Sequence, residues 1–573
     1  MDGAMMPSHV EEYDAALDAL DAAKDTWAQT SVADRIALLG QVKDNLMDVA
    51  AGWAETATRK KQIPEGSPLA GEEWTSGPYA VMSACNGLML TLSQMEGKAF
   101  LKHLPTRQLT TGQLTVKVMP HSIWDHLLLS GVKAEVWMQK GVNAANLPKH
   151  AALAYDIPPA DRKGKVALIL GAGNIASIAP LDVFQKLFLE NQVVILKMNP
   201  VNDYLTEYLN TALKPLIDRD ALRIVKGDGA AGAYLTTHDV IDELHITGAG
   251  ATHDAIVWGT GAEGEKNRKA NTPKNDKRFT SELGAVCPTI VVPGPWTDAD
   301  LKFQAEHIAT HKLHNSGFNC VACQVLIMPK GWDKAQTLLA NVDAVAKKST
   351  RGAYYPGATD RLDAFKGKAK TSKEVARGAA PSLVINDVGD SDWFRNNEVF
   401  APAMSTHDMD APDAETYLRN AIIYANAQLH GTLGANILIH PKTIKEIGKK
   451  RFEEIIADLH YGTIAINAWT GLAFLATACP WGAFPGHTPQ DVQSGIGTVH
   501  NTFMLEDTER VVIQAPWAPF PRGVLSGQFT LLPRPPWFIT NKKQDKVGRL
   551  LTAFQYKPSW FKLPRIFLNA LLG

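Results

Sequence analysis

The sequence predicts an α/β fold built on parallel sheets, and three stretches carry that prediction. Residues 165–174 (KVALILGAGN) form an apolar run that ends in a glycine-rich turn, residues 175–190 (IASIAPLDVFQKLFLE) show helical periodicity, and residues 191–200 (NQVVILKMNP) form a second apolar run. A strand-turn-helix-strand unit of this kind calls for a right-handed crossover between parallel neighbours. The alternation then continues. Residues 221–228 predict a strand, 229–238 a helix, 242–250 a strand and turn, and 251–259 a helix. This half is predicted to be doubly wound.

A polar, basic break is expected at 261–278. A second α/β series follows it, with strands at 288–294 and 324–330 and helices at 298–314 and 332–348. Residues 349–380 read as irregular. Further strands are expected at 382–388, 434–440 and 462–467, and one helix at 443–459. Ahead of all this, residues 10–60 carry apolar side chains at helical spacing. Residues 61–150 are mixed and give no clear pattern, and no internal repeat is present.

The bulk numbers are those of an ordinary globular chain. Of 573 residues, 45% are hydrophobic and 20% charged, with a net charge of -1, which points to no nucleic-acid partner. Five cysteines (Cys85, Cys287, Cys320, Cys323, Cys479) make no disulfide framework and fit a reducing compartment, so a cytoplasmic location is expected. The acidic N-terminus has no apolar leader. The apolar stretch 463–479 is interrupted by Asn467 and Gly471, so it reads as core rather than a membrane span. The last 58 residues differ in character: nine Lys/Arg against Asp545 alone, with Trp517, Trp537 and Trp560. Such a tail could lie on an anionic membrane surface or pack over its own or a neighbouring subunit.

Chemistry is carried by three segments. Gly171 to Asn174 lie where a glycine turn lets backbone approach a ligand. Cys320 sits among small polar residues between a helix and an apolar strand, and could be a nucleophile or a structural cysteine. Cys320 and Cys323 form a CxxC with no second pair, so a metal site is not expected. Glu282, at a strand entrance before Leu283 and Gly284, could be a general base or a solvated acid.

Together, in order, these segments resemble the aldehyde dehydrogenase superfamily. Glu282-Leu283-Gly284-Ala285 is similar to its E-L-G-G motif, Gly317-Phe318-Asn319-Cys320 to G-Q-x-C, and Glu398-Val399-Phe400-Ala401-Pro402 to E-x-F-G-P. Lys197, Asn174, Gly248 in HITGAG and Pro480-Trp481-Gly482-Ala483-Phe484 match further motifs, and the ordered set spans roughly residues 30 to 515. The resemblance implies a Rossmann-like dinucleotide-binding domain at 1–279, to which 471–500 return, and a catalytic domain at 280–470. It also implies an oligomerisation strand at 501–517, leaving 518–573 as an extension.

The same resemblance implies the roles. Cys320 would attack an aldehyde, Asn174 would hold the oxyanion, and Glu282 would activate water to release a carboxylic acid. Lys197, Gly248, Glu398, Phe400 and Gly171 would meet NAD or NADP. The family's NAD-selecting Glu is Pro200 here, and Lys226 could pair with a 2′-phosphate, so both cofactors stay open. Phe318 replaces the usual Gln and Ala285 the second glycine. A homodimer or homotetramer acting on an aldehyde, long-chain or hydrophobic if the tail meets a membrane, is the expected assembly. The alternatives are a CoA-acylating or acyl-reducing relative, and a non-catalytic binding protein on the same fold.

Overall fold

The computed structural model describes residues 9–573. The reading of the N-terminus as free of an apolar leader falls partly on residues 1–8, outside the described residues. The chain is mixed α/β and carries two large sheets.

The first sheet has five parallel strands. Their spatial order is Arg278–Leu283, Glu243–Gly248, Val166–Leu170, Val193–Lys197, Leu222–Val225. The first strand of the unit therefore lies between the second and the fourth, and the order reverses there. Ligands bind outside the carboxyl ends of parallel strands at such a switch point. Val166–Leu170 and Val193–Lys197 are buried at every position, because helices cover both faces and leave no polar face. Gly495–Ile496 adds antiparallel to Arg278–Leu283 and brings a C-terminal segment to this sheet. Helix Val10–Ala28 packs on the sheet with Tyr13, Leu17, Leu20 and Trp27 inward, and helix Val32–Lys60 starts on the Ser31 side chain, which accepts from Asp34 N–H.

The second sheet has eleven strands. Its parallel centre runs Thr463–Ile466, Gly434–Leu438, Cys287–Val291, Cys323–Pro329, Ala403–Met409. On one side Ala380–Asp387 adds parallel, and Lys373–Arg377 then adds antiparallel. On the other side Thr508–Gln514 pairs parallel with Thr463–Ile466 and antiparallel with Lys133–Met138, which continues into Leu114–Met119 and Thr106–Gln108. The strand expected to mediate oligomerisation is thus filled on both edges within one chain. The strands at 106–138, in a stretch the sequence left unassigned, join this sheet and not the first.

Three local expectations need correction. The basic break at 261–278 contains helix Gly261–Ala270, in which Gly264 is the buried residue; its charges simply face water, so it shows no apolar stripe. Residues 349–380 hold helix Ala358–Gly367 and strand Lys373–Arg377. The single helix at 443–459 is two, Pro441–Ile447 and Lys449–Ala457, split at Gly448, whose φ of 90° only glycine adopts readily.

The C-terminal extension packs over its own chain. Trp517 and Trp537 are buried, and Trp517 meets Trp296 at 4.8 Å between ring centroids. Helix Gln544–Tyr556 lies so close to Gly71 that a Cβ there would strike the Gln544 backbone. Among the described residues no helix is long and apolar enough to cross a membrane.

Candidate active site

A cavity of about 1140 Å³ opens at the carboxyl ends of the first sheet and reaches the second. Gly171, Lys197, Gly248, Cys320, Glu282, Asn174, Glu398 and Phe400 all lie on its wall. Eight of the nine residues singled out in the sequence therefore share one space. The ninth, Lys226, is exposed outside it, and its carbonyl accepts from Tyr13 Oη at 2.8 Å. Asp228, two residues on, lines the cavity instead. It caps helix Gly229–Thr237 by accepting from Ala230 and Ala231 N–H, and those bonds hold its carboxyl below the ordinary range.

Cys320 is placed by an unusual turn. Asn315, Ser316 and Gly317 all have positive φ, and a Cβ on Gly317 would lie 2.6 Å from the Ala401 carbonyl oxygen. Glycine is required there, and the two non-glycine residues before it are held in strained backbone. What holds them is a buried charge cluster. Arg351 pairs with Glu72 and, at 2.9 Å, with Glu73; Lys61 pairs with Glu73 at 2.8 Å. Arg351 also donates to Asn315 Oδ1 at 2.6 Å, and Glu72 accepts the Asn315 backbone N–H at 3.0 Å. Asn315 Nδ2 then donates to the Phe318 carbonyl at 3.0 Å. All four charged side chains are at most 1% exposed, so each depends on the others to offset its desolvation.

Asn174 Nδ2 donates to the same Phe318 carbonyl at 2.9 Å, and the Asn174 backbone carbonyl accepts from Tyr354 Oη at 2.9 Å. The amide is therefore fixed beside the cysteine loop, with a second N–H to offer. Tyr354 and Tyr355 form an aromatic cluster with Phe318, at centroid distances of 5.2 and 5.5 Å.

Cys320 Sγ donates to Glu282 Oε1 at 3.4 Å. The same oxygen accepts from Trp481 Nε1 at 2.6 Å, while Glu282 Oε2 is buried with no hydrogen-bond partner. Burial, and secondarily the Asp182 charge, raise the Glu282 carboxyl to about 7, against the pull of the Trp481 and Cys320 hydrogen bonds. Burial and the charges of Glu282 and Glu398 hold the Cys320 thiol well above its ordinary value. A protonated thiol thus sits beside a carboxylate poised to take its proton near neutrality. Glu398 is raised to about 8 by burial, which the buried Lys312 partly opposes, and its Oε1 has no partner. A Cβ on Gly284 would overlap the Glu398 carboxylate.

Trp481, Lys312, Asp228 and the Arg351 cluster escaped the sequence reading. Trp481 had a signal, since it stands where the resembling motif has Phe. The cluster had none, because Glu72 and Arg351 meet across 279 positions of chain.

Comparison with known proteins agrees with this geometry. Residues 178–360, which carry Glu282 and Cys320, match the aldehyde dehydrogenase family. The putative aldehyde dehydrogenase DhaS of Bacillus subtilis is 24% identical over 331 residues, covering 54% of this chain and 58% of that protein. The mouse dimeric NADP-preferring aldehyde dehydrogenase is 24% identical over 253 residues, covering 42% and 52%. The match therefore spans little more than half the length of these curated relatives. A Mycobacterium tuberculosis aldehyde dehydrogenase solved with NAD+ shares the fold with a TM-score of 0.58 at 17% identity, covering 89% of this chain and 91% of that one. A Brucella melitensis aldehyde dehydrogenase structure does so at 0.57 and 18%, covering 88% and 90%. At these identities the solved structures speak for the fold, and the family match rests on residues 178–360: in fold and in that segment the chain is similar to the aldehyde dehydrogenases.

Proposed function

We propose that the protein oxidises an aldehyde to a carboxylic acid with NAD(P), using Cys320 as nucleophile and Glu282 as base. The observation that carries the reading is the 3.4 Å contact between Cys320 Sγ and Glu282 Oε1, on the wall of the cavity that also holds Lys197 and Gly248. Proton and nucleophile are in reach of each other without rearrangement.

The residues fit a dinucleotide. Lys197 and the unpartnered Glu398 Oε1 can hold ribose hydroxyls, and Gly284 leaves room for the Glu398 carboxylate. When bound, the cofactor supplies the hydride acceptor. The chain's own groups do the rest. Glu282 takes the thiol proton as Cys320 Sγ bonds to the aldehyde carbon. Asn174 Nδ2 and the Cys320 N–H donate to the oxygen that gains charge. After oxidation the carbon is held as a thioester on Sγ, and Glu282, once it has released the thiol proton to solvent, takes a proton from the water that displaces the sulfur. The base in contact with the thiol favours hydrolysis over transfer to CoA, because a thiol acceptor needs less help.

Asp228 supports NAD over NADP. Its carboxylate shares the cavity wall with Lys197 and would repel a 2′-phosphate, whereas Lys226 lies outside. Asp228→Asn is expected to improve the NADP:NAD ratio of kcat/KM about tenfold. The aromatic pair Tyr355 and Phe400 on the cavity wall supports a hydrophobic aldehyde. A dimer or tetramer belongs to the same proposal. Both edges of Thr508–Gln514 are filled within the chain, so subunits would meet elsewhere.

The test is an aldehyde panel with NAD and NADP, with Cys320→Ala and Glu282→Gln beside the unaltered protein. Cys320→Ala is expected to lose turnover. Glu282→Gln is expected to form its burst of reduced cofactor more slowly and to slow the steady state further. Normal turnover in Cys320→Ala would overturn the proposal, and acyl-CoA formed on adding CoA would redirect it to the acylating class.

A further inference from the structure

The end of the chain presents an apolar surface to water. Helix Leu563–Leu571 buries Leu563 and Ile566 against its own protein, with Trp124, Leu550 and Phe567 among the side chains packed there. Its other face should then be polar. Instead it shows Leu568 (58% exposed) and Leu571 (60%), continued by Leu572 (55%) after it and by Phe561 (95%) and Trp560 (60%) before it. Trp560 is steadied by Trp124, at 4.7 Å between ring centroids, so the patch is anchored on a folded element. The charges that this stretch of chain itself carries are cationic. From Lys546 to Gly573 the sequence holds Lys546, Arg549, Lys557, Lys562 and Arg565 and no acid. Lys557 and Arg565 are exposed beside the apolar side chains.

We infer that this surface is a peripheral docking face for an anionic lipid bilayer. Contiguous exposed apolar side chains on a well-packed helix mark a contact surface. Their association with basic groups, in a tail of +8 on a body of -9, fits a negative sheet of headgroups and disfavours a second copy presenting the same positive patch. Trp560 and Phe561 would enter the headgroup region, with Leu568, Leu571 and Leu572 behind them and Lys557 and Arg565 on phosphates. The inference stands whether or not the catalytic reading does.

The experiment is co-sedimentation of the full chain with phosphatidylcholine vesicles, with and without one-third phosphatidylglycerol, at low and high salt. Phe561→Ser/Leu568→Ser and Lys557→Glu/Arg565→Glu serve as separate variants. These side chains are half or more exposed or stand at the surface, and unchanged thermal melting confirms folding. The expected result is binding to the anionic vesicles that weakens with salt, and a partition coefficient at least tenfold lower in each variant. Three results would overturn it: no binding of the unaltered protein, equal binding to both vesicle types, or full binding by the folded variants. Sedimentation velocity identifies the rival occupant. If Phe561→Ser/Leu568→Ser halves the mass of an oligomer while vesicle binding is absent, the face joins two copies.

Discussion

Trp481→Phe is expected to move the pH dependence of turnover upward while leaving the final amount of covalent intermediate unchanged. The indole N–H donates to Glu282 Oε1 at 2.6 Å in a fully buried setting. A hydrogen bond to a charged group contributes about 1.5–3 kcal/mol, and 1.36 kcal/mol corresponds to roughly one pKa unit. Phenylalanine keeps most of the ring against Phe474 and removes only the donor. The carboxyl, now at about 7, then rises by one to two units. Its ionised fraction at pH 7 falls from about half to between a tenth and a hundredth, so hydrolysis of the thioester slows roughly 5- to 50-fold. The assay is steady-state turnover from pH 6 to 10 beside a stopped-flow burst. The burst amplitude is expected to persist, and the steady rate to recover at high pH. A pH midpoint shared by Trp481→Phe and the unaltered protein would refute the idea that the indole sets the basicity of Glu282.

Three further outcomes follow from the same site. Arg351→Leu leaves Glu72 buried without its cation and Glu73 with Lys61 alone, and is expected to cost about 3–5 kcal/mol in urea unfolding. Its tenth-scale counterpart is an exposed pair such as Lys214–Asp218, whose removal is expected to cost about 0–1 kcal/mol. Glu282→Gln is expected to stabilise the fold at alkaline pH. A carboxyl raised from 4.5 to about 7 binds its proton more tightly in the folded state, so stability is full below 4.5 and falls as pH rises through 7. Removing the ionisable group lifts that loss, up to about 3 kcal/mol at pH 9, seen as a smaller fall in melting temperature between pH 5 and pH 9.

The parallel sheet was legible because strands buried on both faces must be continuous apolar runs, as in residues 166–170 and 193–197, and because the first of them is closed by a glycine turn. Cys320 and Glu282 were legible through the order of their motifs, and the fold brings them within 3.4 Å. What escaped depends on pairing between distant segments. Trp481 reaches Glu282 only because Pro480–Gly482 is fixed antiparallel to Thr498–His500. Lys226 and Asp228 both sit after the strand Leu222–Val225; which one faces the cavity is decided by Asp228 capping the next helix, a choice that composition does not express. Helix Gly261–Ala270 was missed for the opposite reason: it packs so little that no apolar period marks it.

The seam at Thr508–Gln514 bears on how the chain is made. Lys133–Met138 is translated early, yet its antiparallel neighbour begins at residue 508, a gap of 508 − 138 = 370 positions from its last residue. At roughly 5–20 residues per second, a ribosome needs about 20–75 s to cover that distance. Through that interval the Leu114–Met119 and Lys133–Met138 ribbon has one open edge, and so does Thr463–Ile466 once it emerges. One late strand closes both edges in a single event. Nascent chains stalled just before and just after residue 514 leaves the exit tunnel should therefore differ sharply in protease resistance. A chaperone that shields strand edges should matter most in that window.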